Sequence, residues 1–250
     1  MTIAEPEPLP LREPIDDFAA FGISAFVTTR SAGDYGVAEP TPDTGALGRW
    51  QQLSHELNAN VPPVRILASA RQVHGTTLVE HADRTPGWLR VENADGHVAL
   101  SRGTALAVTV ADCVPVFIGH PSGAIALLHA GWRGTAAGFV RKALERLRAL
   151  NVESADLAIH LGPAICGRCY EVSPDVFEQL TGWQTIRHRH VDLRALLVEQ
   201  AKEAGVRRVS ASPFCTRCDN DRFFSHRAGD AGRQIGVIVA PESEMRSIVT

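Results

Sequence analysis

Three short segments hold residue types that can work together as a metal site: Gln72-Val73-His74-Gly75, Ala111-Asp112-Cys113-Val114-Pro115 and His129-Ala130-Gly131-Trp132-Arg133-Gly134. Each sets one His or Cys beside Gly, Pro or the end of an apolar strand-like run, where a backbone can turn and offer a side chain to a shared point. Imidazole nitrogen and thiolate sulfur are donors that zinc accepts, and three of them leave one tetrahedral position open for water or substrate, which marks a catalytic rather than a closed structural site. His74, Cys113 and His129 are therefore the expected ligands. Singly, each has a plainer reading: a free buried cysteine is commonly a small hydrophobe, and a strand-end histidine is commonly a hydrogen-bonded structural residue. The setting favours the ligand reading, because Gly75 and Gly131 admit close backbone approach and because Cys113 and His129 each finish an apolar run. Without a metal, Cys113 would instead be the nucleophile of a cysteine hydrolase, with His129 or His74 as its base.

The other four cysteines form two CxxC pairs, Cys166-Gly167-Arg168-Cys169 and Cys215-Thr216-Arg217-Cys218. That pattern ordinarily reads as a Cys₄ zinc site. The 45 residues between Cys169 and Cys215 exceed the usual ribbon spacing, so the spacing favours two reduced thiol pairs, buried separately and outside the active site. Arg133 stands just before a helix expected to start at Thr135, where backbone N–H groups and a guanidinium would attract phosphate or carboxylate; its plainer role is to cover Trp132. Arg227 and Arg233 bracket Gly229 and Gly232 in a second Gly/Arg turn, and His226 in Phe223-Phe224-Ser225-His226-Arg227 is a further candidate pocket residue. His188-Arg189-His190 reads as a solvated loop. No P-loop or dinucleotide fingerprint accompanies these arginines, so neither ATP nor NAD is indicated.

These residues need a scaffold. The 250 residues, 44% hydrophobic and 21% charged, suffice for a sizeable core, expected as one domain over 18–250 behind a frayed, Pro-rich lead-in over 1–17. Strands are predicted at Ile23–Thr29, 64–70, 76–80, 104–110, 116–119, 124–129, 157–161, 206–210 and 235–239, several of them continuous apolar runs that read as buried on both faces. Helices are predicted near 49–57, at 135–150 and after Asp192, the last with Asp192 as its cap. Ser31–Leu47 reads as a surface loop. Strands interleaved with helices indicate an α+β fold of layered mixed sheets. A net charge of −3 gives no basic field for nucleic acid or an anionic membrane, which leaves small molecules as the expected partners. The start lacks a secretory leader, no run approaches the about 18 apolar residues of a membrane helix, and five cysteines do not suggest a secreted disulfide framework; the cytoplasm is the expected compartment.

In order along the chain, Gln72-Val73-His74-Gly75, Thr109 to Pro115, His129 to Gly134, Gly162-Pro163-Ala164-Ile165-Cys166, Cys169-Tyr170-Glu171-Val172 and the closing Phe223 to Arg227 with Gly232-Arg233 resemble the YfiH-type laccase-domain family. Its members are also described as polyphenol oxidases or purine nucleoside phosphorylases. The resemblance implies a single α+β domain and a zinc held by His74, Cys113 and His129. It further implies phosphorolysis of adenosine, inosine and methylthioadenosine, and deamination of adenosine. Editing of peptidoglycan precursors and copper-dependent phenol oxidation are also associated with the family. Asn93-Ala94-Asp95-Gly96 resembles a family segment whose aspartate lies near the pocket, which makes Asp95 the candidate general acid beside Arg133 as the phosphate group's partner. Ser31–Leu47 departs from the family by lacking its Gly-Gly-Val-Ser and Ser-Leu-Asn-Leu-like stretches, a region that shapes the substrate entrance. A non-enzymatic protein whose metal only stabilises the fold is the reading from another class.

Overall fold

The computed structural model describes residues 9–37, 44–59, 63–82 and 85–242. One six-stranded sheet runs in the order β1 (Arg12–Ile15), β2 (Ser24–Thr28), β14 (Gln234–Ala240), β7 (Thr104–Val110), β3 (Ile66–Ala70) and β5 (Gly87–Val91). The second runs β13 (Arg208–Ala211), β10 (Ala158–Leu161), β8 (Val114–Gly119), β9 (Ile125–Ala130), β6 (Gly96–Ala99) and β4 (Leu78–Glu80). Both are mixed: β3 lies parallel to β5 and β7, and β10 lies parallel to β13, while β7–β14 and β8–β9 are antiparallel.

The sheets pack face to face with helices outside them. Helix α1 (Thr44–Ala59) lays Trp50, Leu53 and Leu57 on Leu67, Ala105, Ala107 and Val237 of the first sheet. Between the sheets, Val27, Ala68, Leu106 and Val108 meet Phe117, Ile125 and Leu127. The far face of the second sheet, with Val116, Ile118, Ala126 and Leu128, is covered by α3 (Phe139–Ala149) and α5 (Leu193–Glu203). Alternate residues of β7 and β9 thus serve two different cores, the period of two of a pleated strand. This is why their sequences read as unbroken apolar runs.

Several expectations change in detail. The single helix expected at 135–150 is two, α2 (Trp132–Ala136) and α3, because Gly138 adopts φ +68 and turns the chain. Of the apolar face expected through Ala136, Val140, Ala143, Leu144, Leu147 and Leu150, the four residues from Val140 to Leu147 are buried, Leu150 is half-buried and Ala136 is exposed; the Asp192 carboxylate caps α5 by accepting from Arg194 N at 3.0 Å and Ala195 N at 3.3 Å. In place of a loop, Arg189–His190 forms β12, paired with β11 (Glu171–Val172). Ahead of β12 lies α4 (Pro174–Thr181). Order begins before the expected boundary at 17, since Arg12–Ile15 pairs with β2 and a 3-10 turn from Asp16 buries Phe18 and Phe21; residues 1–8 lie outside the described residues. Within 31–47, α1 already starts at Thr44, and 38–43 lie outside the described residues. No helix among the described residues is long and apolar enough to cross a membrane.

Candidate metal centre and its cavity

The chain leaves the first sheet at the end of β7 and enters the second at β8, and Ala111–Cys113 make the crossing. Because β8 and β9 pair with Val114 opposite Ala130 and Pro115 opposite His129, Cys113 arrives beside the end of β9. Cys113 therefore meets His129 by opening β8, although in the sequence it finishes the apolar run of β7. His74 reaches the same point from the turn after β3. Its backbone is left-handed at φ +59, and the Gln72 side chain anchors the turn to β7 by accepting from Thr109 N at 2.7 Å and Oγ1 at 2.9 Å while donating to Thr109 O at 2.8 Å. One donor atom from each of His74, Cys113 and His129 lies within 4.8 Å of the others.

Gly131 makes this approach feasible. A Cβ there would stand 2.9 Å from Cys113 Sγ and 3.5 Å from His74 Cδ2, inside the space the donors occupy. Asp112, at φ +83, holds the crossing in place: its Oδ1 accepts from Thr216 Oγ1 at 2.6 Å and its Oδ2 from Arg227 N at 2.7 Å.

Asp95, the candidate general acid, lies behind the ligands as a hydrogen-bond acceptor. Its fully buried carboxylate accepts from the backbone N–H groups of Val73 (3.2 Å), His74 (2.9 Å) and Gly75 (2.7 Å), and from His129 Nδ1 at 2.9 Å. Burial would raise its pKa, but the His129 and backbone hydrogen bonds outweigh burial and lower it, so the group is a carboxylate with no proton to give. It positions the two histidines instead. With Nδ1 committed to Asp95, His129 keeps Nε2 as its remaining ring nitrogen, the arrangement that orients imidazole toward a metal.

Without a metal the donors polarise one another. Burial alone would push the Cys113 thiol up; the charge and hydrogen bond of His129, with help from His74, bring it down to about 6. Burial would lower His129, yet Cys113 and Asp95 raise it to about 9. Without a metal the pair is thus a thiolate beside an imidazolium; the thiolate is the form zinc binds, and His129 would give up its Nε2 proton on binding.

A cavity of about 710 Å³ opens over this centre, in the range of small-molecule sites. His74, Cys113 and His129 line it together with Tyr170, His226 and the arginines 71, 90, 133, 227 and 233. Arg133 stacks 4.4 Å from the Trp132 ring, its plainer reading, and also lines the cavity, but it lies inside the first turn of the short helix α2 and not ahead of it. Arg227 stands 5.0 Å from the Tyr170 ring.

Residues 48–241 match the family model described as "Multi-copper polyphenol oxidoreductase laccase". The chain belongs to this laccase family. Its relatives include a purine nucleoside phosphorylase of Streptomyces coelicolor, 35% identical over 207 residues that cover 78% of this chain and 83% of the relative. A purine nucleoside phosphorylase of Mycobacterium tuberculosis is 34% identical over 224 residues, 83% and 88% of the two chains. Among solved structures, YlmD from Geobacillus stearothermophilus superposes with TM-score 0.77 at 27% identity, covering 89% of this chain and 94% of its own. YfiH from Bacillus licheniformis gives TM-score 0.81 at 22% identity, covering 95% and 100%, a likeness of fold.

Within this laccase-family fold the predicted ligands and Arg133 share one cavity, and His226, Arg227 and Arg233 join them. Asp95 sits behind the ligands. Tyr170 and Asp112 were not singled out as site residues, although Tyr170 directly follows a CxxC pair and Asp112 directly precedes Cys113. The two CxxC pairs are not buried separately as their spacing suggests: all four sulfurs lie within 4.8 Å of one another.

Proposed function

We propose that this protein is a zinc-dependent purine nucleoside phosphorylase, acting on adenosine, inosine and methylthioadenosine, that also deaminates adenosine. The observation that carries the reading is the convergence of three N/S donors with an arginine-rich cavity of about 710 Å³. The names of the relatives, purine nucleoside phosphorylases at 34–35% identity, support it. His74, Cys113 and His129 would hold the zinc, which when bound supplies Lewis acidity at an open coordination position. Zinc suits the donor set better than copper oxidase chemistry, because three donors at one point hold one ion and not the several coppers of four-electron oxygen reduction.

The remaining work falls to the chain's own groups. Arg133, Arg227 and Arg233 concentrate positive charge in the cavity, where guanidinium forks match phosphate oxygens. In phosphorolysis a phosphate oxygen bonds to ribose C1′ as the C1′–N9 bond breaks, and the purine leaves with a proton gained at nitrogen. Tyr170, pushed up to about 12 by burial and by the Cys113 charge, keeps its phenolic proton at neutral pH and is the hydrogen-bond donor assigned to the leaving base. Deamination replaces the C6 amino group with oxygen from water and releases ammonia, a reaction that uses no anion site.

Chromatographic separation of adenine from inosine, after incubation of adenosine with and without phosphate, tests the proposal. Adenine that forms only with phosphate supports phosphorolysis. Neither product above a Cys113→Ala control would defeat it and favour another substrate, such as a peptidoglycan precursor.

The thiolate–imidazolium pair of Cys113 and His129 favours a second reading, a metal-free cysteine hydrolase. That enzyme would survive chelation and die on thiol alkylation.

A further inference from the structure

We propose that Cys166, Cys169, Cys215 and Cys218 bind a structural zinc ion that clips the ends of β10 and β13 together behind the cavity wall. The clip is separate from the His74-Cys113-His129 centre and stands whether or not the proposed function holds.

The four sulfurs lie within 4.8 Å of one another, with Cys169 Sγ and Cys218 Sγ 3.4 Å apart, and all four thiols are free. A tetrahedral ion with metal–sulfur bonds of about 2.3 Å spaces its sulfurs about 3.8 Å apart, which is the size of this cluster. Each CxxC is wound as a turn. Cys169 N donates to Cys166 O at 2.9 Å, and Asp219 N donates to Cys215 O at 2.8 Å. Cys215 Sγ accepts N–H bonds from Cys166 at 3.2 Å and Cys218 at 3.4 Å, bonds that stabilise a thiolate and so suit a metal ligand. Four sulfurs fill a tetrahedron and leave no open position, which makes the site structural.

The fold also explains the long gap that argued against this pairing. In a zinc ribbon the two CxxC turns sit close in sequence, but here they extend two parallel strands, β10 and β13, whose pairing continues in an isolated bridge between Ala164 and Cys215. Parallel neighbours need a crossover of a dozen or more residues, and the 45 residues between Cys169 and Cys215 contain α4 and α5. The clip touches the cavity wall at both turns. Ile165 N donates to Asp112 O at 3.1 Å, Thr216 bonds the Asp112 carboxylate, and Tyr170 follows Cys169 directly.

The test supplies zinc chloride to the reduced full-length protein, removes the excess, and measures zinc per chain by elemental analysis. The double variants Cys166→Ser/Cys215→Ser and Cys169→Ser/Cys218→Ser should each hold one zinc fewer than the unaltered protein, whereas Cys113→Ala should retain the clip's ion. Zinc lost in the double variants but unchanged by Cys113→Ala supports the clip even as it refutes the three-donor centre. Should the double variants fail to fold, alkylation of the unaltered protein decides: exposed Cys218 should react with iodoacetamide at least about tenfold more slowly than after chelator treatment, since a bound thiolate is shielded. Equal zinc in the unaltered protein and the double variants, unchanged reactivity of Cys218 after chelation, or a Cys169–Cys218 disulfide in the zinc-supplied protein would overturn the proposal.

Discussion

Asp95 Oδ1 lies 2.9 Å from His129 Nδ1 and 2.9 Å from the backbone nitrogen of His74, so one buried carboxylate fixes two of the three candidate metal donors. The donors come from β9 and from the turn after β3, which belong to different sheets, and Asp95 is the tie between them.

Asp95→Ala should therefore weaken zinc binding at the three-donor centre by about 10- to 100-fold, the usual cost of losing a partner that orients a ligand. Competition with a chromophoric chelator measures it. An unchanged affinity would mean that packing alone positions the histidines.

Gly131→Ala should strip the centre of metal without unfolding the protein. Its φ of −80 and ψ of −175 suit alanine, so the only penalty is the Cβ placed 2.9 Å from Cys113 Sγ. Zinc content and the thermal midpoint, read on the same sample, separate the two effects. A variant with full zinc would show that the sulfur can move aside.

Arg133→Ala should depress phosphorolysis on the order of tenfold or more while leaving deamination nearly untouched, because only the first reaction places a phosphate beside the guanidinium. Initial rates of adenine and inosine formation at saturating phosphate give the ratio. Equal loss of both would assign Arg133 to nucleoside binding or to covering Trp132.

Stability should fall on acidification through a buried histidine pair. His81 Nε2 and His97 Nδ1 lie 2.9 Å apart, and burial lowers both pKa values, His97 to about 3 with the charge of His81 adding to the effect. The unfolded chain binds these protons near pH 6.5 while the folded chain refuses them. The contribution is thus complete above that pH and lost as pH falls toward 3, by up to about 1.4 kcal/mol per pH unit for each proton. Chemical denaturation from pH 7 to 4 should be steeper in pH for the unaltered protein than for His97→Gln. Equal slopes would place the proton uptake elsewhere.

What the sequence disclosed depends on how local the cause is. The two-sided burial of β7 and β9, the apolar face of α3 and the Asp192 cap all follow from residues within one element. The three donors were legible because glycine and proline mark their turns. The role of Asp95 was not, since its four donors come from 73–75 and from β9, and only their convergence shows that the carboxylate is saturated. The Cys₄ cluster was legible as a pattern but disfavoured by its spacing for a related reason: the gap reflects a parallel crossover, which sequence distance cannot reveal.

The central claim is tested most directly by stripping the protein of metal and following phosphate-dependent release of adenine from adenosine as zinc is added back, beside Cys113→Ala treated identically. The account predicts no turnover in the stripped protein, recovery with zinc, and no recovery in the variant. Full turnover after metal removal, abolished by thiol alkylation, would contradict it and identify Cys113 as a nucleophile working without a metal.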